Sequence, residues 1–228
     1  MPELTSGRRG LRRISKWFIQ GIVRLFIHLS VQGLENIPRQ GPLLMVSNHL
    51  GDADAFIGIA VSPVQVEMIA KIELYDIPFL GKLMDAYGVI WIHRGQPDRH
   101  ALQAALQGLK AGRVIAIAPE GRESLTGSLE EGTSGAAYLG LKSGAPILPV
   151  TFTGTENRTI FHNLKNLKRS PVTVTIGKVF SLDMQFERKE SLQKATDQIM
   201  FILASQLPVQ YQGVYSEEKK ALDEDQIQ

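Results

Sequence analysis

Three short apolar runs in this 228-residue chain each end in side chains that could do chemistry. Leu43–Ser47 runs into Asn48, His49, Asp52 and Asp54. Along 88–94 Ile90, Ile92 and Arg94 share one face of a strand by its period of two, so an apolar face ends in a guanidinium. The run 114–118 leads into Pro119, Glu120, Gly121, Arg122, Glu123 and Ser124. Histidine is the usual general base near neutral pH, and a carboxylate on its other ring nitrogen fixes the tautomer. Asp54 lies five residues beyond His49 across a turn entering a helix, and that turn could return its carboxylate to the ring. Asp52 is the rival partner, although it could instead cap the helix.

Each cluster also has an ordinary reading. A histidine at a strand end is commonly structural, an arginine there is commonly solvated, and the PEGRES stretch could be a turn with hydrated charges. The chain has no cysteine, so thiolate zinc sites and cysteine nucleophiles are excluded. His49 with Asp52 or Asp54 lacks a clear third ligand, so no metal is expected. There is no G-x-S-x-G elbow to support a hydrolase.

The elements that must position these residues read as one α/β domain. Strands are expected at 43–47, 89–93, 114–118, 146–152 and 172–176, with helices at 53–60, 99–111, 133–143 and 191–206. In the last helix Leu192, Ile199 and Leu203 should face inward. In such sheets ligands bind beyond the carboxyl ends of the strands. If the strands are parallel, one crevice collects His49, two Asp, two Arg and two Glu, an inventory suited to base-assisted attack on behalf of an anionic ligand.

The formal net charge is only +2, but it is uneven. Residues 1–30 carry six Lys/Arg and one acid, residues 31–215 balance, and 216–228 have two Lys against five acids. That distribution argues against a nucleic-acid-binding face and for local attraction to anionic lipid. Leu11, Ile14, Phe18, Ile22, Leu25 and Leu29 follow helical steps on one face, with Arg9, Arg13, Lys16, Gln20, Arg24 and His28 opposite. The segment 11–29 is therefore expected to lie in the headgroup layer, making the protein peripheral to the cytoplasmic face of the cell membrane. Arg24 makes it a poor span. Removing residues 1–30 should leave a folded domain, and 216–228 reads as an acidic polar tail.

Taken in order, these motifs resemble the glycerolipid acyltransferase family that includes the bacterial 1-acylglycerol-3-phosphate acyltransferases. Asn48, His49 and Asp54 match its NH-x4-D block, and Gly88, Ile90, Ile92 and Arg94 match G-x-I-x-I-x-R. Pro119, Glu120, Gly121 and Ser124 match its P-E-G block, and Ile147, Leu148, Pro149 and Val150 its proline-containing strand. The likeness extends over roughly 31–215 and includes the segment around Lys71. It implies an acyltransferase domain over 31–215, a central sheet flanked by helices, preceded by the amphipathic N-terminal helix. His49 would act as base with Asp54 behind it. Arg94, Lys71, Glu120, Gly121 and Arg122 would hold the acceptor's phosphate, and Pro149 would shape the channel. Acyl-CoA or acyl-acyl-carrier-protein would be the co-substrate and 1-acylglycerol-3-phosphate the acceptor, with no cofactor. Glycerol 3-phosphate, another lysolipid or an amino-acid lipid are alternative acceptors, and a non-catalytic lipid-binding protein is the alternative outside the class. The third block departs from the family: Glu123 stands where an arginine is usual, and Arg122 precedes it. Arg122 is expected to face the crevice and Glu123 to turn outward, against a neighbouring Lys or Arg.

Overall fold

A computed structural model describes residues 6–93, 98–182 and 189–216. Arg94 and almost all of the acidic tail lie outside them. The elements are α1 (Ser6–Phe26), β1 (Ile27–Gln32), β2 (Leu43–Ser47), α2 (Ala53–Val61), β3 (Val66–Lys71), α3 (Leu80–Tyr87), β4 (Ile90–Ile92), α4 (Arg99–Lys110), β5 (Val114–Ile117), α5 (Gly135–Ser143), β6 (Ile147–Thr153), α6 (Asn157–Lys165), β7 (Ser170–Ile176), α7 (Lys189–Ser205) and α8 (Val209–Gln212).

Seven strands form one sheet in the order β1-β7-β6-β2-β5-β3-β4. From β6 through β4 all neighbours are parallel; β7 runs antiparallel to β6, and β1 is parallel to β7. The central strand β2 reads LLMVS and is buried on both faces, as a covered parallel strand should be. Leu44, Val46, Ile115 and Ile147 meet α4, α5 and α7 on one side. Leu43, Met45, Val114, Leu148 and Val150 meet α1 and α2 on the other. Ile199 and Leu203 of α7 are fully buried, as expected, and Leu192 packs at the edge of the same core.

The N-terminal helix ends three residues short of the expected segment. Leu29 fits the helical step after Leu25, but Ile27, Leu29 and Val31 also alternate, and pairing with Leu29↔Val172 draws 27–32 into the sheet as β1. The helix docks on the domain through the side away from its apolar stripe, with Val23 entering the core. Part of its polar side docks on the domain: Arg12 donates to the Tyr87 carbonyl and to Glu67 Oε1, Lys16 to the Ser62 carbonyl and Gln20 to the Ala60 carbonyl. Lys16 and Gln20 thereby satisfy carbonyls at the end of α2. Burial lowers the Lys16 pKa. Ile14, Trp17, Phe18, Ile22 and Leu25 are left facing outward.

The described part of the N-terminal segment, from Ser6 onward, is thus joined to the domain by buried polar contacts as well as by β1. Glu67 is buried between Arg12 and Arg113, with Nη–Oε distances of 3.1 and 2.8 Å. Removing one member of a buried ion pair costs about 3–5 kcal/mol because the remaining charge stays desolvated. Arg12→Ala should lose stability at the lower end of that range, since Arg113 remains, while Arg13→Ala on the exposed side should be close to neutral. Urea unfolding of the two variants checks this.

Candidate active site

The carboxyl ends of β2, β4 and β5 meet at one edge of the sheet, as the parallel arrangement requires. Beyond β2 the chain must turn at once into α2, and Asn48 fixes where it leaves. Its Nδ2 donates to the Phe152 carbonyl at 2.9 Å, and its Oδ1 accepts from the Phe152 N–H at 2.8 Å. Only an amide side chain offers both a donor and an acceptor to one backbone residue in this way.

His49 follows, and its Nδ1 lies 2.9 Å from Asp54 Oδ2. The same oxygen accepts the backbone N–H groups of Leu50 at 2.7 Å and Gly51 at 3.1 Å. Asp54 sits in the first turn of α2, where a carboxylate is favoured by the helix dipole. Asp52 does not take this role, nor does its side chain cap α2. Its N–H instead donates to Asn157 Oδ1. Gly51 is demanded by space: a Cβ there would stand 2.4 Å from the Thr155 carbonyl oxygen.

Glu120, beyond β5, clasps two loops. Its Oε1 accepts from the His49 N–H at 3.1 Å and its Oε2 from the Glu130 N–H at 2.9 Å. Both oxygens are thus engaged with backbone, so it acts on the His49 loop more directly than on any ligand. Arg122 lies on the cavity rim and donates from Nε and Nη2 to Glu130 Oε2 at 2.9 and 2.6 Å. Glu123 accepts from Asn157 Nδ2 at 2.8 Å, so its partner is an amide and not a Lys or Arg.

A cavity of about 690 Å³ opens here. His49, Asp54, Glu120, Gly121 and Arg122 all line it. One limb runs beneath α2 between Gly58, Ile59, Met68, Val150, Phe152 and Ile176 and is apolar. Of the residues expected from sequence, Lys71 and Pro149 do not line the cavity. Lys71 pairs with Ile92 at the end of β3. Pro149 has the opposite parity to Val150 in β6, so it points to the α5 and α7 side while Val150 and Phe152 shape the channel.

A second histidine–aspartate pair went unread in the sequence. His93 Nδ1 lies 3.0 Å from Asp98 Oδ2, at the same five-residue offset as His49 and Asp54, and both residues line the cavity. Asp98 Oδ1 also caps α4 through the Ala101 N–H. The His93 and Ala101 N–H groups hold the Asp98 carboxyl at about 2. The legible signal was an aspartate three residues ahead of a helical alanine stripe. Among the described residues, no three His, Asp or Glu side chains converge as a metal site.

An acyltransferase family model matches residues 28–153, more than half of the chain. The chain belongs to the acyltransferase family. The matched span runs from β1 to the end of β6 and so contains the His49 turn, the Glu120 loop and the lining of the apolar limb except Ile176. A 1-acyl-sn-glycerol-3-phosphate acyltransferase of Borreliella burgdorferi is 34% identical over 134 residues, 58% of this chain and 53% of that protein. One from Pseudomonas aeruginosa is 32% identical over 127 residues, 54% of this chain and 49% of that protein. The chain thus spans about half the length of these curated relatives. The crystal structure of the 1-acyl-sn-glycerophosphate acyltransferase PlsC from Thermotoga maritima superposes with a TM-score of 0.65, covering 99% of this chain and 85% of that one. At 23% identity that likeness speaks for the fold.

Burial raises the Glu120 pKa to about 7 from 4.5, against the lowering effect of its bonds from Glu130 and His49. As pH rises from about 4.5 towards 7, the unfolded chain releases this proton while the folded protein keeps it. The folded state then binds more protons, so stability should fall as pH rises through that window. Glu120→Gln removes the titration and should flatten the fall. Urea midpoints measured across pH 5 to about 8 test it; an unchanged slope in the variant would assign the dependence elsewhere.

Proposed function

We propose that this protein transfers a fatty acyl group from a thioester, acyl-CoA or acyl-acyl-carrier-protein, to the free hydroxyl of 1-acylglycerol-3-phosphate. The observation that carries the reading is the His49–Asp54 contact in the wall of a cavity lined elsewhere largely by apolar side chains. The names of the Borreliella and Pseudomonas relatives support the acceptor.

Asp54 takes the proton-bearing Nδ1 of His49, which turns Nε2 towards the reacting hydroxyl as a base. The acyl chain of the donor lies in the limb beneath α2, with its thioester carbonyl beside His49. Nε2 accepts the hydroxyl proton as the oxygen bonds to the carbonyl carbon. The tetrahedral adduct collapses, the carbon–sulfur bond breaks, and the departing thiolate takes the proton from the imidazolium. Arg122 at the rim provides a planar cationic group for the acceptor's phosphate by exchanging its bond to Glu130. Glu123, engaged with Asn157, is held by a neutral partner and leaves room for a phosphomonoester.

No helix among the described residues is long and apolar enough to cross a membrane. The outward face of α1, with Trp17 76% exposed and Arg9, Arg13 and Arg24 beside it, suits the headgroup layer of an anionic leaflet. Both the lysolipid acceptor and the product reside there, so the reading places the protein on the cytoplasmic face of the cell membrane.

With acyl-CoA and lysophosphatidic acid as substrates, His49→Ala should lower turnover at least about a hundredfold without unfolding the protein. Asp54→Asn should be severely impaired and Asp52→Asn little changed. Near-normal transfer by folded His49→Ala would refute the mechanism. The Cα of Gly58 faces Phe152, with room for a Cβ 3.6 Å from the ring. Gly58→Leu should therefore shift preference to shorter acyl chains by blocking the limb. An unaltered chain-length profile would place the acyl chain outside it.

A further inference from the structure

Among the described residues, two that are not glycine have left-handed backbone, Phe79 at φ 63° and Leu167 at φ 52°. They are also the two most exposed large apolar side chains, at 88% and 91%. That backbone region is sterically costly for such residues and persists only where surrounding structure enforces it. For Leu167 the result is an apolar side chain held out into solvent just beyond α6, where Phe161 and Leu164 are exposed as well.

Charge singles out the same segment. Residues 157–182 contain five Lys/Arg, Arg158, Lys165, Lys168, Arg169 and Lys178, and no acid. The balanced total of the chain's middle conceals this run. The segment also adjoins α1: Ile22 and Phe26 of α1, Phe56 of α2, and Ile160 and Leu164 of α6 line an apolar pocket of about 170 Å³. The exposed apolar surface therefore continues from α1 across α2 to α6.

We infer that α6 and Leu167 form a second foot by which the protein stands on an anionic bilayer, an inference that rests on the reading of α1 as an interfacial helix. Exposed apolar side chains interleaved with lysine and arginine are what a headgroup layer accommodates, apolar groups below and cations among the phosphates. An acidic protein would answer the charges, but the apolar continuity with α1 favours the bilayer. The foot also bears on the active site. Asn157, the first residue of α6, accepts from the Asp52 N–H and donates to Glu123 Oε1. One short helix thus joins the bilayer contact to both loops around His49 and fixes the cavity mouth relative to the lipid surface.

Flotation of the full chain with phosphatidylcholine vesicles, with and without phosphatidylglycerol, tests this. Phe161→Ser with Leu167→Ser should lower partitioning about tenfold or more on both vesicle types. Lys165→Gln with Lys168→Gln should lower it roughly fivefold per charge on anionic vesicles and leave neutral ones unaffected. Trp17→Ser with Phe18→Ser reports on α1 separately. If that variant loses binding while the α6 variants bind like wild type, the second foot is overturned and the α1 reading stands. If none loses binding, both fall. A second probe is Leu167→Trp in a chain whose own Trp17 and Trp91 are replaced by Phe, its fold and vesicle binding checked beforehand by circular dichroism and flotation. Brominated lipid should quench its fluorescence strongly, and an unquenched signal overturns the inference even if flotation changes.

Discussion

One carboxylate oxygen organises the site. Asp54 Oδ2 gathers the His49 ring and two backbone N–H groups within 3.1 Å, closing the turn between β2 and α2 around itself. Several features of the sequence follow from that closure. The offset of five residues is what a turn into the first helical residues allows. Gly51 is required where the closed turn presses on the Thr155 carbonyl. Asn48 must anchor the start of the turn to β6, because a turn drawn tight at one end otherwise pulls the strand end with it. Glu120 then holds the His49 N–H from the neighbouring strand. A burial that raises its pKa is the energetic cost of reaching that position.

The N-terminal helix shows how one amphipathic pattern can serve two surfaces. Its wheel has an apolar stripe and a polar stripe, and burying the apolar one would be the usual solution for a soluble domain. Here the polar side supplies donors that the domain lacks: Arg12 for the buried Glu67, and Lys16 and Gln20 for the end of α2. That docking leaves the apolar stripe outward. Because α2 also lines the cavity, the N-terminal helix and the helix beside His49 are directly coupled through these bonds.

Much of this was legible in the sequence, and for identifiable reasons. β2 was read to the residue because a fully buried parallel strand is a continuous apolar run between polar ends. The His49–Asp54 pair was readable because the chemistry needs particular residue types close in sequence. β1 was missed because 27–32 satisfies two periods at once, and only the partner strand β7 decides between them. Lys71 and Pro149 were misplaced because family position does not fix which face of a strand a side chain takes. α3 and α6 went unread because their apolar residues are largely exposed and no buried stripe announces them.

The altered third block gains a physical explanation from the same contacts. An arginine in place of Glu123 would bring a cation to the Asn157 amide, where the present carboxylate accepts a hydrogen bond at 2.8 Å. Asn157 also accepts from the Asp52 N–H, so its Oδ1 is committed to the His49 turn and its Nδ2 must find an acceptor. Glu123 supplies one. The guanidinium is then carried one residue earlier, on Arg122, which reaches the cavity rim from a loop whose Gly121 has φ 72° and so bends sharply just before it. Arg122 thus keeps a cation at the cavity while the Glu123 carboxylate ties α6 to the His49 turn. The loop that carries Arg122 is thereby braced, through Asn157, against both α6 and the His49 turn.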